Sequence, residues 1–150
     1  MAIIFRPRWL TRINQERIRQ AIAEAERRTS GEIRVSISRF FWGPVRPVAE
    51  RAFRRLKMNE TRDRNGVLFF VVPSRRRFVI LGDEGIHTHV GADFWTETAA
   101  ALTARFKKSE FTEGLVEGIR AAGERLAAHF PYDEAADVNE LSDEIDFGKS

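Results

Sequence analysis

Cysteine is absent from the 150 residues, and tyrosine occurs only once. Without thiols the chain has no disulfide scaffold, no cysteine nucleophile and no thiolate metal site. It also lacks any apolar run near the ~20 residues that a membrane-spanning helix needs. The first ten residues, MAIIFRPRWL, lack the apolar core of a signal peptide. We therefore expect a folded cytoplasmic domain without a membrane span.

Charge is unevenly distributed along the chain, although the net value is only +3. Residues 1–81 carry 19 Lys and Arg against 7 Asp and Glu, whereas residues 82–150 carry 6 against 15. A basic half can contact nucleic acid. The arginines are, however, spread over predicted helices with few aromatic residues between them, so nucleic acid is not the favoured partner. We expect the two halves to neutralise each other in the fold.

The other predicted elements are arranged around a predicted β-hairpin at residues 67–81. Residues 67–72 are six consecutive apolar residues, a run typical of a strand buried on both faces. Five turn residues separate them from a second apolar strand at 78–81, so the two strands are predicted to be antiparallel. The start of the first strand and the end of the second then lie at the same edge of the sheet.

The elements before the hairpin predict a βαβ unit. An amphipathic helix is predicted over 11–28 with Thr11 as its N-cap, followed by an alternating strand at 32–38 with one solvated face. A second helix is predicted over 47–58. A strand, a helix and the buried strand of the hairpin form a right-handed parallel unit. This topology brings Glu32 to the edge where the hairpin begins and ends.

The rest of the chain divides into two helices and a tail. Helices are predicted over 92–107 and 111–130, because apolar residues recur there at helical spacing. Residues 131–150 contain seven acids and one lysine without a helical stripe. The predicted organisation is therefore an N-terminal arm at 1–10, one α/β domain at 11–130, and an acidic C-terminal strap at 131–150 that docks in extended form on the arginine-rich half.

Four acidic residues are the first candidates for a functional site. The predicted topology collects them at one edge of the sheet: Glu32, Asp63, Asp83 and Glu84. Like charges ~4 Å apart repel by about 1–4 kcal/mol near a protein surface, so positive charge must offset them. Either a bound cation does so, or the neighbouring arginines form ion pairs with the acids. The neighbouring arginines are Arg34, Arg62 and Arg64.

The same edge carries residues suited to a hard cation. One is an amide side chain and the others are glycines in turns: Asn65, Gly66, Gly82 and Gly85. Carboxylates, amide oxygens and backbone carbonyls are the ligands that Ca²⁺ prefers, whereas Mg²⁺ retains more water. The residues therefore favour Ca²⁺ over Mg²⁺ at this edge.

An aromatic loop is the second candidate site. Phe40, Phe41 and Trp42 follow the first predicted strand directly. They can close the core at the end of the sheet, or they can form an exposed patch that recognises a protein partner. The sequence leaves both interpretations open.

An ordered set of short segments resembles the TPM-domain family. The set consists of SGEIRV at 30–35, RNGVL at 64–68, a strand ending in a glycine pair at 82–85, and FKKSEFTEGLVEGI at 106–119. The ending at 130–141 is similar to that of short soluble bacterial members. The resemblance implies an α/β fold, a three-layer α/β sandwich in which helices cover both faces of a small mixed β-sheet.

The resemblance also implies a function. It implies binding of Ca²⁺ or a weak acid phosphatase activity, and by position the acids of the family fall on Glu32 and Asp63. We expect a TPM-type domain that binds Ca²⁺ at the carboxylate edge. One alternative is a metal-assisted phosphatase for phosphate monoesters, which would need a metal-activated water and whose catalytic residues the sequence does not identify. The other alternative is a scaffold that binds a protein partner through the aromatic loop.

Overall fold

The computed structural model describes residues 13–90, 92–133 and 142–148. The predicted arm, Thr11 and the middle of the predicted strap lie outside these ranges. The described residues form five α-helices and three strands: α1 Gln15–Glu26, β1 Glu32–Ile37, α2 Val45–Arg55, β2 Gly66–Val72, β3 Arg77–Gly82, α3 Glu84–Val90, α4 Thr96–Lys107 and α5 Phe111–His129. None of these helices combines the length and the apolar character that crossing a bilayer requires.

The three strands form one mixed sheet in the order β1-β2-β3. β1 runs parallel to β2 with Glu32 opposite Gly66, and β2 runs antiparallel to β3 with Val67 opposite Gly82. The predicted parallel unit and the predicted hairpin are both confirmed. The first residues of β1 and β2 and the last residue of β3 therefore share one edge of the sheet.

Helices cover both faces of the sheet and give the predicted three layers. On one face, α1, α4 and α5 pack their apolar residues against alternate residues of the strands, including Val35 and Phe69. On the other face, α2 packs against Leu68 and Phe70. β2 lies between the two cores and is buried throughout, which explains its uninterrupted apolar sequence.

Three helices begin at residues other than those predicted. α4 starts at Thr96 and not at residue 92, because Ala92–Trp95 form a separate 3₁₀-helix. α1 starts at Gln15, because the side chain of Asn14 accepts a hydrogen bond from the Arg17 N–H at 3.1 Å and caps the helix. Asparagine is at least as effective an N-cap as threonine. α2 starts directly after Pro44 and ends at Arg55, before Lys57 adopts a left-handed conformation with φ of 59°.

The predicted solvated face of β1 is wrong at Ser36, which is buried. Residues 142–148, hereafter the C-terminal segment, contact the outer edge of β1 at Asp146. Asp146 forms a parallel bridge opposite Ser36. The alternating pattern of the strand could not show this, because the covering residues lie more than 100 positions further along the chain.

Ion pairs join the basic and the acidic half of the sequence. Arg17 pairs with Glu113, and Arg55 pairs with Asp146 at 2.7 Å. Some of the charge of the two halves is thus paired across the fold, in the direction that the sequence predicts, while other ion pairs, such as that of Arg105 with Glu117, lie within one half.

Candidate functional site

The edge shared by the strands is closed by two loops that contact each other directly. These loops are residues 61–66 and 83–86, hereafter the β2–β3 corner. The N–H of Asp83 donates to the Gly66 carbonyl at 2.9 Å, and the N–H of Gly85 donates to the Arg64 carbonyl at 2.9 Å. A Cβ on Gly85 would lie 2.4 Å from the Asp63 carbonyl oxygen, so only glycine allows this approach.

Asp83 is the buried centre of the β2–β3 corner. Its Oδ1 accepts from the N–H of Glu84, the first residue of α3, at 2.8 Å. The Arg64 guanidinium donates twice to the carboxylate, from Nε to Oδ2 at 2.7 Å and from Nη2 to Oδ1 at 3.1 Å. Hydrogen bonding to Asp83 is the main cause that raises the pKa of Arg64 above its ordinary value. The buried carboxylate is therefore fully paired.

The two exposed acids of the corner also contact arginines. Glu84 Oε1 lies 3.2 Å from Nη1 of Arg64, so one guanidinium lies between the carboxylates of Asp83 and Glu84. Asp63 pairs with its neighbour Arg62 at 3.1 Å. Ion pairing by adjacent arginines, one of the two alternatives from the sequence, is thus what the structure contains at these acids.

Glu32 and Asn65 have their backbones at the shared edge but contact other groups. The Glu32 N–H donates to the Asn65 carbonyl at 3.4 Å, and the Asn65 amide nitrogen donates to the Ser30 hydroxyl at 3.3 Å. Glu32 lies close enough to Glu26 to influence its ionisation.

The predicted cluster of four acids is not formed. Across residues 13–90, 92–133 and 142–148, no three acidic or histidine side chains are close enough together to hold a metal ion. Topology brings the backbones of the four residues together, but the side chains of Glu32 and Asp83 have different partners. The donor set as placed is therefore not a ready-made ion site.

The sequence did not identify Glu26 as a half-buried acid with a shifted pKa. Its Oε2 accepts from the Ile33 N–H at 2.9 Å, at the junction of α1 and β1. Burial is the main cause that raises its pKa, followed by hydrogen bonding to Asp143. The carboxylate of Glu32 raises it further, and the Ile33 N–H acts in the opposite direction. The net effect is a pKa of about 11 for Glu26, so this side chain is protonated at neutral pH.

The aromatic loop divides into an inner and an outer part. Phe41 is half-buried, 6.5 Å between ring centroids from Phe70, and Arg75 holds the loop by donating to the carbonyls of Phe41 and Gly43 at 3.0 and 2.8 Å. Phe40 and Trp42 are 48% and 88% exposed, and their rings meet edge to face at 4.7 Å. Phe41 therefore closes the core, whereas its two neighbours form an exposed aromatic pair.

Comparison with known proteins identifies the family of the chain and a solved structure that is closely similar to it. The TPM domain family matches residues 7–125 of the chain. The NMR structure of the BA42 protein from the psychrophilic bacterium Bizionia argentinensis is similar, with 41% sequence identity and a TM-score of 0.84. The match covers 91% of this chain and 95% of that one. The corresponding comparison with curated proteins finds no match.

Proposed function

Because the chain belongs to the TPM domain family, we propose that it binds a divalent cation at the β2–β3 corner, with Ca²⁺ favoured over Mg²⁺. One observation carries the proposal: the Arg64 guanidinium lies between two carboxylates, 2.7 Å from Asp83 and 3.2 Å from Glu84. A positive group already occupies the point at which these acids converge. The cation binds in exchange for that group.

Exchange is physically accessible because the groups that must move are exposed. The side chain of Arg64 is 41% exposed and that of Glu84 is 71% exposed, so both can turn towards solvent. Asp83 and Glu84 would then supply carboxylate oxygens to the cation. Displacing Arg64 costs its hydrogen bonds to Asp83, and bonds of this charged kind contribute about 1.5–3 kcal/mol each. The affinity for Ca²⁺ is therefore expected to be low.

Removing Arg64 is expected to strengthen Ca²⁺ binding. The Arg64→Gln variant lacks the competing guanidinium, so its dissociation constant for Ca²⁺ should fall at least tenfold, which corresponds to about 1.4 kcal/mol. In the Asp83→Asn variant, Ca²⁺ binding should be lost. Calorimetric titration and melting temperature measure both effects, since a ligand at ten times its dissociation constant stabilises by about 1.4 kcal/mol.

Arg62→Gln is the matched control for Arg64→Gln. It removes the same charge from the same loop, but Arg62 contacts the exposed Asp63 and not Asp83. Its affinity for Ca²⁺ should stay within about twofold of the wild-type value, because exposed ion pairs contribute little. If Arg62→Gln and Arg64→Gln tighten binding equally, overall charge and not exchange controls the affinity. If Asp83→Asn binds as the wild type does, the cation does not bind at this corner.

Phosphatase activity would be a catalytic extension of the same cation site. It would require a metal-activated water near the carboxylates. Turnover of a chromogenic phosphate monoester should then disappear both with a chelator and in the Asp83→Asn variant. Turnover that survives both treatments would come from a contaminating enzyme, and the cation would have a binding role without catalysis.

Recognition of a protein partner through the aromatic loop is the second candidate function. Phe40 and Trp42 place two large aromatic side chains in solvent, and aromatic residues are enriched where proteins bind each other. Trp42→Ala should abolish capture of a partner without lowering the melting temperature. Tyr132→Ala, which removes another exposed aromatic ring, should retain capture. Equal loss in both variants would show non-specific hydrophobic adsorption.

A further inference from the structure

The outer edge of β1 forms backbone hydrogen bonds with one residue of the C-terminal segment, Asp146. The N–H of Asp146 donates to the Val35 carbonyl at 2.9 Å, and its carbonyl accepts from the Ile37 N–H at 2.7 Å. The bridge between Asp146 and Ser36 stands alone and does not extend into a strand. An edge strand that receives an extended segment in this way uses the hydrogen bonding of strand addition.

The Asp146 carboxylate is recognised as specifically as its backbone. Arg55 donates to both of its oxygens, from Nη1 at 3.1 Å and from Nη2 at 2.7 Å. The buried Ser36 hydroxyl donates to Oδ2 at 2.7 Å. A bidentate guanidinium selects a planar carboxylate by geometry as well as by charge. The edge of β1 together with Ser36 and Arg55, hereafter the β1 groove, therefore selects an acidic residue in an extended chain.

The residue before Asp146 adds an apolar contact, and space remains beyond it. Ile145 packs against the main core. A cavity of about 340 Å³ opens beside the ion pair, and Gly148, Ser38 and Arg51 contribute to its lining. The C-terminal segment thus pairs with Arg55 of the β1 groove. It does not fill the adjacent cavity, and Arg51 at the wall of that cavity has no ion pair with the described residues 142–148.

We propose that the β1 groove is a recognition site for an extended acidic segment of a partner protein, in which an apolar residue precedes an aspartate. The C-terminal segment occupies this site in cis as a competitor. The positive charge of Arg51 and Arg55 and the free volume beside them favour a partner segment with more acidic character than the one now bound. A tethered competitor has an effective concentration in the millimolar range, so the free protein is expected to be largely closed to a partner.

Weakening the competitor should open the site. The probe is a fluorescent peptide with the sequence SDEIDFGKS, identical to residues 142–150. In the full-length Asp146→Asn variant, the chain's own segment loses its charged contacts with Arg55, so the probe should bind at least tenfold more tightly than it binds the wild type. Adding Arg55→Gln to that variant should abolish binding. Fluorescence anisotropy measures each affinity.

Glu144→Gln is the matched control. It removes one negative charge two residues before Asp146, and the side chain of Glu144 is 72% exposed. The probe should bind this variant as it binds the wild type. A second test uses the isotope-labelled wild type with an excess of unlabelled probe. The probe should displace the C-terminal segment, so the amide resonance of Gly148 should move to the position of a free segment. The Ile37 N–H should remain hydrogen-bonded, because the probe replaces the carbonyl of Asp146.

Several results would overturn the proposal. Equal affinity of the probe for the wild type and for Asp146→Asn would mean that the segment does not compete. Binding retained after Arg55→Gln would place the probe elsewhere. A dimer of the wild type that dissociates in Asp146→Asn would identify the occupant as the segment of a second copy and not a partner. An unchanged Gly148 resonance at saturating probe would show that the segment is a fixed part of the fold.

Discussion

The Glu26→Gln variant is expected to be more stable than the wild type by about 3 kcal/mol at pH 7. Glu26 has a pKa of about 11 in the folded protein against an ordinary value of 4.5. The wild type must therefore take up a proton to fold at neutral pH, and each pH unit above the ordinary value costs about 1.4 kcal/mol. Glutamine has nearly the same shape, still accepts from the Ile33 N–H, and needs no proton.

The same substitution should change how stability depends on pH. Because the folded-state pKa of Glu26 lies above the unfolded value, its contribution is complete below pH 4.5 and declines as the pH rises towards 11. Urea unfolding at pH values between about 5 and 8 should show a falling free energy of unfolding for the wild type. The difference from Glu26→Gln should widen by about 1.4 kcal/mol for each pH unit.

Glu24→Gln is the control for this experiment. It makes the same chemical change on α1, two residues away, at an exposed side chain. Its unfolding free energy should differ from that of the wild type by less than about 0.5 kcal/mol at every pH. Parallel curves for the wild type and Glu26→Gln would contradict a proton bound at Glu26.

The order and direction of the strands could be predicted from the sequence, because they depend on apolar runs and turns within short segments. The apolar run of β2 and the turn before β3 identified the hairpin, and the βαβ rule gave the direction of β1. Together they placed Glu32, Asp63 and Asp83 at one edge. The structure confirms this placement of their backbones.

The side chains of the candidate site were less accessible, because their partners come from distant elements. Arg64 can contact Asp83 only once the β2–β3 corner is closed, and nothing in either local sequence selects this pair over a bound cation. Ser36 and Glu26 form hydrogen bonds with Asp146 and Asp143, both of which belong to the C-terminal segment. Within β1, Ser36 falls on the face that the alternating pattern predicts to be solvated. Glu26 instead follows Ile22 by four residues and so falls on the apolar stripe of α1.

Replacing Gly85 by alanine is expected to destabilise the protein by about 3 kcal/mol, the upper end of the usual cost of overpacking. The added Cβ would lie 2.4 Å from the Asp63 carbonyl oxygen and 2.5 Å from that of Arg64. Both are backbone atoms, so the two loops of the β2–β3 corner must separate. Separation breaks the hydrogen bond from the Gly85 N–H to the Arg64 carbonyl. Urea unfolding of the full-length variant measures the loss.

Gly82→Ala distinguishes backbone crowding from a general cost of replacing glycine at this edge. A Cβ on Gly82 would come within 3.3 Å of side-chain atoms of Ile86 and Trp95, which can shift by a few tenths of an ångström. Its cost should therefore lie at the lower end of the usual range for overpacking, about 1 kcal/mol. Equal stability of the two variants would mean that the corner is loosely packed. Since Ca²⁺ binding in exchange for Arg64 needs both loops in place, Gly85→Ala should also lose Ca²⁺ binding, whereas Gly82→Ala should retain it.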